Sequence, residues 1–498
     1  MVKSDFVAFY CCSFFVSERD FYMYDVAIIG SGIIGSACAY TLSQYKLKVV
    51  MVEKENDVCM GTTKANSAII HAGFDPKPNT LMAKTNVLGN AMCKEICKKL
   101  SVPLKEIGSL VVAFDEEERK TLDTLFQRGT ENGVPNMEIW SREKVLEKEP
   151  NISEKVVGAL WAPTAAIVNP WEMGLAMAET AVVNGCDLKL SFEVKSIEKE
   201  NDCYTLKSEN DEVKAKYVIN ASGVNTDIVS SMAGKSNYKI VPTVGEYYLL
   251  DKSEGKTVSS VVFPCPSSKG KGVLIAPTVH GNLIVGPTAT VTENREDTSN
   301  TSNGLNSIRE KATKVVPNIN FRQNIRNFSG VRANSTVDDF IIDFVADNFL
   351  ELAGIRSPGL SSAPAIAKYA TELLQEKGLA CNKKDDFKDE RKHIRFNELN
   401  EEERAKLVQE NSSYGRIICR CETITEGEII DAINSPIPPC SVDGIKRRAG
   451  SGMGRCQGGF CGPRVVEILA KEKGISPLEI LQDANGSYIL TGETKEER

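Results

Sequence analysis

Histidine is scarce in this chain: His71, His280 and His393 are the only three among 498 residues. Any imidazole chemistry therefore has three places to sit. No basic stripe is visible, and the net charge is −7 with 26% charged residues, which excludes the electrostatic footprint of a nucleic-acid binder. No apolar run approaches the roughly eighteen residues that span a bilayer, so no transmembrane segment is expected. Internal repeats are also absent. Nor do the cysteines form the dense, even framework of a small secreted domain; there are fifteen, spread along the chain, and they point to a reducing compartment. At this length two or three domains are expected.

The first twenty-two residues stand apart. Lys3 followed by the apolar stretch Phe6 to Val16 imitates a signal peptide but offers no small-residue cleavage site. Because Met23 directly precedes the first core strand, residues 1–22 read as an upstream extension or a misplaced start rather than a targeting peptide. A cytoplasmic location is expected, with peripheral contact to a membrane left open.

Tyr24-Asp-Val-Ala-Ile-Ile29 is a continuous apolar run ending in glycine, the pattern of a parallel strand buried on both faces. It leads into Gly30-Ser-Gly32-Ile-Ile-Gly35, a helix predicted from about Ile34 to Tyr45, and a second apolar run from Leu47 to Val52 that ends in Glu53. This β-α-β unit is a dinucleotide fingerprint. The first glycine permits the turn, the second admits a pyrophosphate, the third packs helix on strand, and Glu53 is placed for a ribose. The helix N-terminus turns its partial positive charge towards the phosphates. Fingerprint geometry alone does not separate FAD from NAD.

Further on, Tyr217 to Gly223 reads as a return to the nucleotide sheet, and Asn169-Pro-Trp171 opens a helix to about Val183. Strand-like runs between about 240 and 345 predict a second, antiparallel sheet for a substrate domain. Residues 379–412 mix charges and read as a linker with one short helix capped by Asn400 and Glu403. Other helix starts fall at Thr425 with Glu428 and Ser476-Pro477 with Glu479, the latter opening a C-terminal helix and tail over 471–498. Near that end stand Cys419-Arg-Cys421 and, after thirty-four intervening residues, Cys456-Gln-Gly-Gly-Phe-Cys461. Four thiols in two tight pairs suggest a metal site, iron or zinc, with each pair on one metal edge. Arg416, Arg420, Lys446, Arg447, Arg448 and Arg455 would offset an anionic centre.

The segments Gly61-Thr-Thr-Lys-Ala-Asn-Ser-Ala-Ile-Ile-His71, Gly330-Val-Arg332 and Gly354-Ile-Arg-Ser-Pro-Gly-Leu-Ser361 resemble the FAD-dependent oxidoreductases of the D-amino-acid-oxidase fold. Within that fold they look like the anaerobic glycerol-3-phosphate dehydrogenase large subunit and the L-2-hydroxyglutarate oxidases. The resemblance covers residues 23–378 and implies an α/β architecture: a Rossmann-like FAD domain with an inserted antiparallel substrate sheet. It implies that FAD lies along Thr62 and Thr63, near Gly223, and against Gly354, Ser357, Gly359, Leu360 and Ser361. Residues 413–470 are similar to the bacterioferritin-associated-ferredoxin type of [2Fe-2S] domain, a small helical module whose four ligands match Cys419, Cys421, Cys456 and Cys461.

Oxidising an alcohol carbon needs a base and a cationic clamp for the anionic end of the substrate. His71, in the family-like segment, is the candidate base, with His280 second. Arg332 is the clamp implied by the resemblance, and Tyr248 and Lys271 are candidates for the same pocket. A hydride carries two electrons, whereas a [2Fe-2S] centre takes one at a time, so electrons are expected to pass singly to a protein or quinone acceptor. The chain is thus expected to oxidise sn-glycerol 3-phosphate to dihydroxyacetone phosphate. The alternatives are an L-2-hydroxy acid such as 2-hydroxyglutarate, and a non-catalytic flavin and iron-sulfur relay.

Overall fold

The computed structural model describes residues 23–234, 236–266 and 272–494. The expectations for residues 1–22 and for Lys271 lie outside these. The fingerprint strand runs Met23–Ile29 and pairs in parallel with Glu212–Asn220 on one side and Val49–Val52 on the other. Val26, Ala27 and Ile28 are wholly buried, as a strand covered on both faces requires. Asp187–Lys189 extends the parallel set beyond Val49–Val52, and Phe349–Ala353 extends it beyond Glu212–Asn220. Antiparallel strands Ser196–Glu200, Cys203–Lys207 and Ile341–Ala346 complete this eight-stranded sheet.

Three helices, Ile33–Leu42, Pro170–Val183 and Gly359–Glu376, share one core over this sheet. Their contact residues are small, Ala37, Ala39, Ala178, Ala181, Ala363 and Ala367 among them, which lets the helices approach closely while a large apolar area leaves water. The first helix ends at Leu42, three residues short of the expected Tyr45, because Tyr45 is taken up in a bridge to Lys383. The helix Leu81–Lys99 joins this core at Gly89, where a Cβ would lie 2.1 Å from the Ser361 carbonyl oxygen.

The second sheet has nine strands. Six of them lie between 240 and 345, where the antiparallel sheet is expected: Ile240–Leu250, Val261–Pro264, Leu274–Pro277, Leu283–Gly286, Thr290–Val291 and Asn324–Ser335. Three strands from much earlier in the chain also join it. Glu138–Ser141, Gly158–Ala162 and Ser109–Ala113 continue it, with Ser109–Ala113 parallel to Val261–Pro264 and the remaining pairs antiparallel. Conversely, Ile341–Ala346 leaves for the nucleotide sheet. Apolar alternation marks a strand but does not name its partner, which explains both differences.

The charged segment after residue 379 lies as a strap on the first core. Arg391 and Arg395 bond to the buried carboxylates of Glu172 and Glu179 on the Pro170–Val183 helix. The helix Glu401–Glu410 carries the expected Asn400 and Glu403 capping box. The C-terminal module has its own core of Ile429, Ile445, Val465 and Leu469 beneath helices Glu426–Ile433, Val442–Ala449 and Gly462–Lys473. The Ser476 and Glu479 capping box forms too, yet only a 3-10 turn, Pro477–Glu479, follows it. The expected C-terminal helix gives way because Ile480 is fully buried and Leu481 bridges Ser441 and Tyr488. Among the described residues no helix is long and apolar enough to cross a membrane.

Candidate active site and cluster centre

The glycine loop has the geometry a dinucleotide requires. Gly30 has φ +94°, and a Cβ there would sit 2.7 Å from the Ala221 carbonyl oxygen. A Cβ on Gly35 would lie 1.9 Å from the Gly30 carbonyl oxygen, so the helix reaches the strand only with glycine there. Gly32 stands at the helix N-cap without a side-chain cap. Glu53 Oε2 accepts from the Ser31 amide (2.8 Å) and hydroxyl (2.9 Å), and burial pushes its pKa up against these donors. Around the loop, Gly61 and Gly223 face open space, with nothing within 4 Å of a Cβ at either position. These residues suit a bound FAD.

The stretch after Gly61 is folded against that loop. Thr63 Oγ1 accepts from the Ile33 amide at 2.9 Å, while Thr62 Oγ1 donates to the Val331 carbonyl oxygen at 2.5 Å. The chain then forms the short strand Ile69–Ile70 and delivers His71. The His71 amide donates to Ser361 Oγ at 2.7 Å, and its carbonyl oxygen accepts from Asn86 and Asn90 at 3.0 and 3.1 Å. Its Nε2 lies 3.2 Å from Ser357 Oγ, and its ring stacks on Phe263 with centroids 5.8 Å apart. The Gly354 to Ser361 turn therefore meets His71 at two serines. Gly354 has φ +64°, and Gly359 and Leu360 begin the helix that follows. Asn86, Asn90 and Phe263 carry no sequence motif, and only the packing brings them to His71.

Arg332 lies opposite Thr243 on the paired strands Ile240–Leu250 and Asn324–Ser335. Along that face the pairs continue as Gly245 with Gly330 and Tyr247 with Phe328, since side chains alternate across a sheet. Each member has a task. A Cβ on Gly330 would lie 2.1 Å from the Ala65 carbonyl oxygen, so glycine lets the strand meet the Thr62–Lys64 turn. A Cβ on Gly245 would lie 2.3 Å from Arg332 Nη2, so glycine leaves room for the guanidinium, which donates to the Thr288 carbonyl oxygen at 2.8 Å. Tyr247 stacks on Phe328, and its hydroxyl lies 3.1 Å from Ser67 Oγ.

The expectation for Tyr248 is corrected by this register. It lies on the opposite face, edge-on to Phe321 at 5.0 Å, in the cluster beneath the Ser302–Val315 helix. Tyr247 is the tyrosine that shares a face with Arg332. Strand alternation would have separated the two, had the register with Arg332 been known. His280 is on a turn 3.3 Å from Asn169 Nδ2, and His393 stands 4.0 Å from Glu172 Oε1 in the strap. Burial, then Arg391 and Arg395, hold the His393 imidazole down at about 3, which suits a neutral structural residue.

In the module, the cysteine contacts run across the sequence pairs, which corrects the expected grouping. Cys421 Sγ and Cys456 Sγ are 3.7 Å apart, and Cys419 lies beside Cys461. Two thiolates at about 2.3 Å from one tetrahedral metal stand roughly 3.8 Å apart. Among the described residues no three ligand-type side chains converge on one point, and a two-iron centre needs only two thiolates per iron. Backbone amides stand near the sulfurs, those of Gly452 and Glu422 by Cys419 and those of Phe460 and Gly458 by Cys456. The helix Gly462–Lys473 has Cys461 as its N-cap, which turns its positive end to the site. This donor set fits a [2Fe-2S] centre.

The cations Arg447 and Arg448, expected beside that centre, point the other way. Arg448 makes a two-pronged pair with Asp57 at 2.8 Å to each oxygen, and Arg447 joins Asp57 at 2.9 Å and Asp483 at 2.6 Å. Asp57 follows the Glu53 strand end, and Asp483 also holds Lys64 of the Thr62–Lys64 turn at 2.7 Å. Burial alone would raise the Asp57 carboxyl; the Arg448 and Arg447 charges outweigh it and hold it at about 2. The module is thus docked on the nucleotide domain by buried ion pairs.

The chain matches the model of the FAD dependent oxidoreductase family over residues 25–373 and that of the BFD-like [2Fe-2S] binding domain over residues 417–471. It is 51% identical to a glycerol 3-phosphate dehydrogenase of Caloramator mitchellensis, over 95% of this chain and 100% of that protein. It is 29% identical to the mitochondrial L-2-hydroxyglutarate dehydrogenase of Mus musculus, over 70% of this chain and 88% of that one. Its structure is similar to dithionite-reduced L-alpha-glycerophosphate oxidase of Mycoplasma pneumoniae with FAD bound. That likeness has a TM-score of 0.70 and 33% identity, and covers 74% of this chain and 98% of that one.

Proposed function

The chain belongs to the FAD dependent oxidoreductase family, and on that premise we propose that it oxidises sn-glycerol 3-phosphate to dihydroxyacetone phosphate and releases the electrons through its [2Fe-2S] domain. The observation that carries this reading is the end-to-end likeness, cysteine module included, to a glycerol 3-phosphate dehydrogenase. Bound FAD supplies a two-electron acceptor and the [2Fe-2S] centre a one-electron carrier.

The chain's own residues do the rest. Arg332, with room kept for it by Gly245, binds the substrate phosphate through its planar fork. His71 takes the C2 hydroxyl proton at Nε2, its ring held by Ser357 and by the Phe263 face. Asn86, Asn90 and Ser361 fix its backbone, so the base is positioned before substrate arrives. Tyr247 lines the same sheet face as Arg332.

An anaerobic visible spectrum tests the reading. Glycerol 3-phosphate is expected to bleach the flavin and iron-sulfur bands together, and His71→Ala should slow flavin bleaching by about 10²-fold or more, the usual contribution of a positioned base. Bleaching by L-2-hydroxyglutarate and not by glycerol 3-phosphate would overturn the substrate assignment. Cys421→Ser is expected to lose the iron-sulfur bands and the reduction of one-electron acceptors while flavin bleaching persists; a cluster retained at full occupancy would remove Cys421 from the ligand set.

A further inference from the structure

We propose that the cysteine-bearing face of the C-terminal module is the docking surface of a small acidic one-electron carrier protein. The inference rests on the reading that electrons leave through this module, and it names what receives them.

The centre opens to solvent at Cys421. Cys419 and Cys461 are buried, Cys456 is half-buried and Cys421 exposed, and all four line one cavity with Ile417, Phe460, Arg464 and Lys471. Phe460, the residue before Cys461, is 88% exposed, and Ile417, two residues before Cys419, is 40% exposed. A single exposed apolar side chain is ordinary. Two that flank ligand-bearing segments on the rim of one recess form the apolar centre of a contact surface.

Charge identifies the occupant. The whole chain carries −7, yet Arg416, Arg420, Arg464 and Lys471 line this cavity and are exposed, and Arg455, next to Cys456 in the chain, is exposed too. Arg416 pairs with Glu426, Arg464 with Glu467 and Lys471, more loosely at 3.9 Å, with Glu472. Arg420 and Arg455 make no ion pair among the described residues. The module's other arginines, Arg447 and Arg448, are consumed at the opposite face by Asp57 and Asp483. A local basic surface on an acidic protein steers an acidic partner. A carrier that takes one electron at a time matches a centre that gives one at a time, whereas a lipid surface by itself accepts none.

The electron count closes with such a carrier. Converting one secondary alcohol to a ketone releases two electrons and two protons; two oxidised carriers each take one electron, and the protons leave to solvent.

The test uses the full holoenzyme, an acidic rubredoxin as probe and a basic c-type cytochrome as control. Calorimetry measures binding of the oxidised proteins, and stopped-flow mixing of the dithionite-reduced holoenzyme, freed of excess dithionite, measures electron transfer without any substrate. Rubredoxin is expected to bind and be reduced faster than the cytochrome, with a rate that falls as salt rises. The double substitution Arg464→Glu with Lys471→Glu should lower that rate about tenfold or more, and Phe460→Ser should weaken binding, with iron-sulfur absorbance per chain unchanged in the charge-reversed protein. A rate indifferent to salt and to charge reversal would overturn the proposal, as would preference for the cytochrome. Charge-sensitive binding to anionic vesicles containing quinone, with none to rubredoxin, would overturn it in favour of a membrane. Failure of glycerol 3-phosphate to bleach the flavin would count against the substrate alone.

Discussion

Replacing Asp57 by alanine is expected to destabilise the docked module by about 3–5 kcal/mol, the cost of stranding buried charges. The Arg447 and Arg448 side chains are only 8% and 2% exposed, so neither can turn to water when the carboxylate is removed. Arg447 keeps Asp483 and Arg448 keeps the Ile437 carbonyl oxygen, which sets the loss below that of two wholly unpaired ions. The module should come loose while the flavin domain stays folded, because the module has its own core and only Ile437 of it is buried in the first. Denaturant unfolding should then split into two transitions, and reduction of one-electron acceptors should fall while substrate still bleaches the flavin. A double variant, Asp57→Ala with Arg448→Met, should recover part of the loss by removing the stranded charge. A change below about 1 kcal/mol in the single variant would place the docking energy elsewhere.

The same pair gives a pH dependence with a definite sign. The Asp57 carboxyl is held at about 2, below its ordinary value, so its contribution is complete above about pH 4 and is lost as pH falls towards 2. That contribution is about 2 kcal/mol. Module release on acidification should therefore precede loss of FAD, and Asp57→Asn should flatten the profile in that window. An unchanged profile in Asp57→Asn would assign the acid sensitivity to other carboxylates.

Arg332→Ala is expected to raise KM for glycerol 3-phosphate about a hundredfold or more, since it removes a charge-assisted fork from an anionic ligand. FAD content should not change, because the guanidinium donates to Thr288 and not into the glycine loop. Arg332→Lys keeps the charge but loses the planar fork and should recover only part of the affinity. Gly245→Ala is the more discriminating variant. Its Cβ would occupy the space of Arg332 Nη2, so the arginine remains while its position is lost, and KM should rise with the fold intact. Wild-type KM in both variants would remove Arg332 from the substrate site.

The features that were legible in the sequence are those whose chemistry is local. The glycine spacing in Gly30 to Gly35 spans six residues, and the turn at Gly30 and the helix contact at Gly35 hold in the structure. The capping boxes at Asn400, Thr425 and Ser476 are all formed, because a cap satisfies the amides of its own first turn. What followed the Ser476 cap was not legible, since burial of Ile480 outweighs a signal of one turn.

By itself, then, the sequence determined a dinucleotide-binding β-α-β unit, a four-cysteine module and the segment that carries His71, all of them short runs whose residues meet their own neighbours. Only the tertiary structure decided that Tyr247 and not Tyr248 faces Arg332, that Ser109–Ala113 joins the second sheet, that cysteine contacts cross between the pairs, and that Arg447 and Arg448 dock the module instead of neutralising its centre. Each of those choices depends on a partner dozens to hundreds of residues away, and a side chain's face or ion-pair partner is set by burial against that partner, which local pattern does not encode.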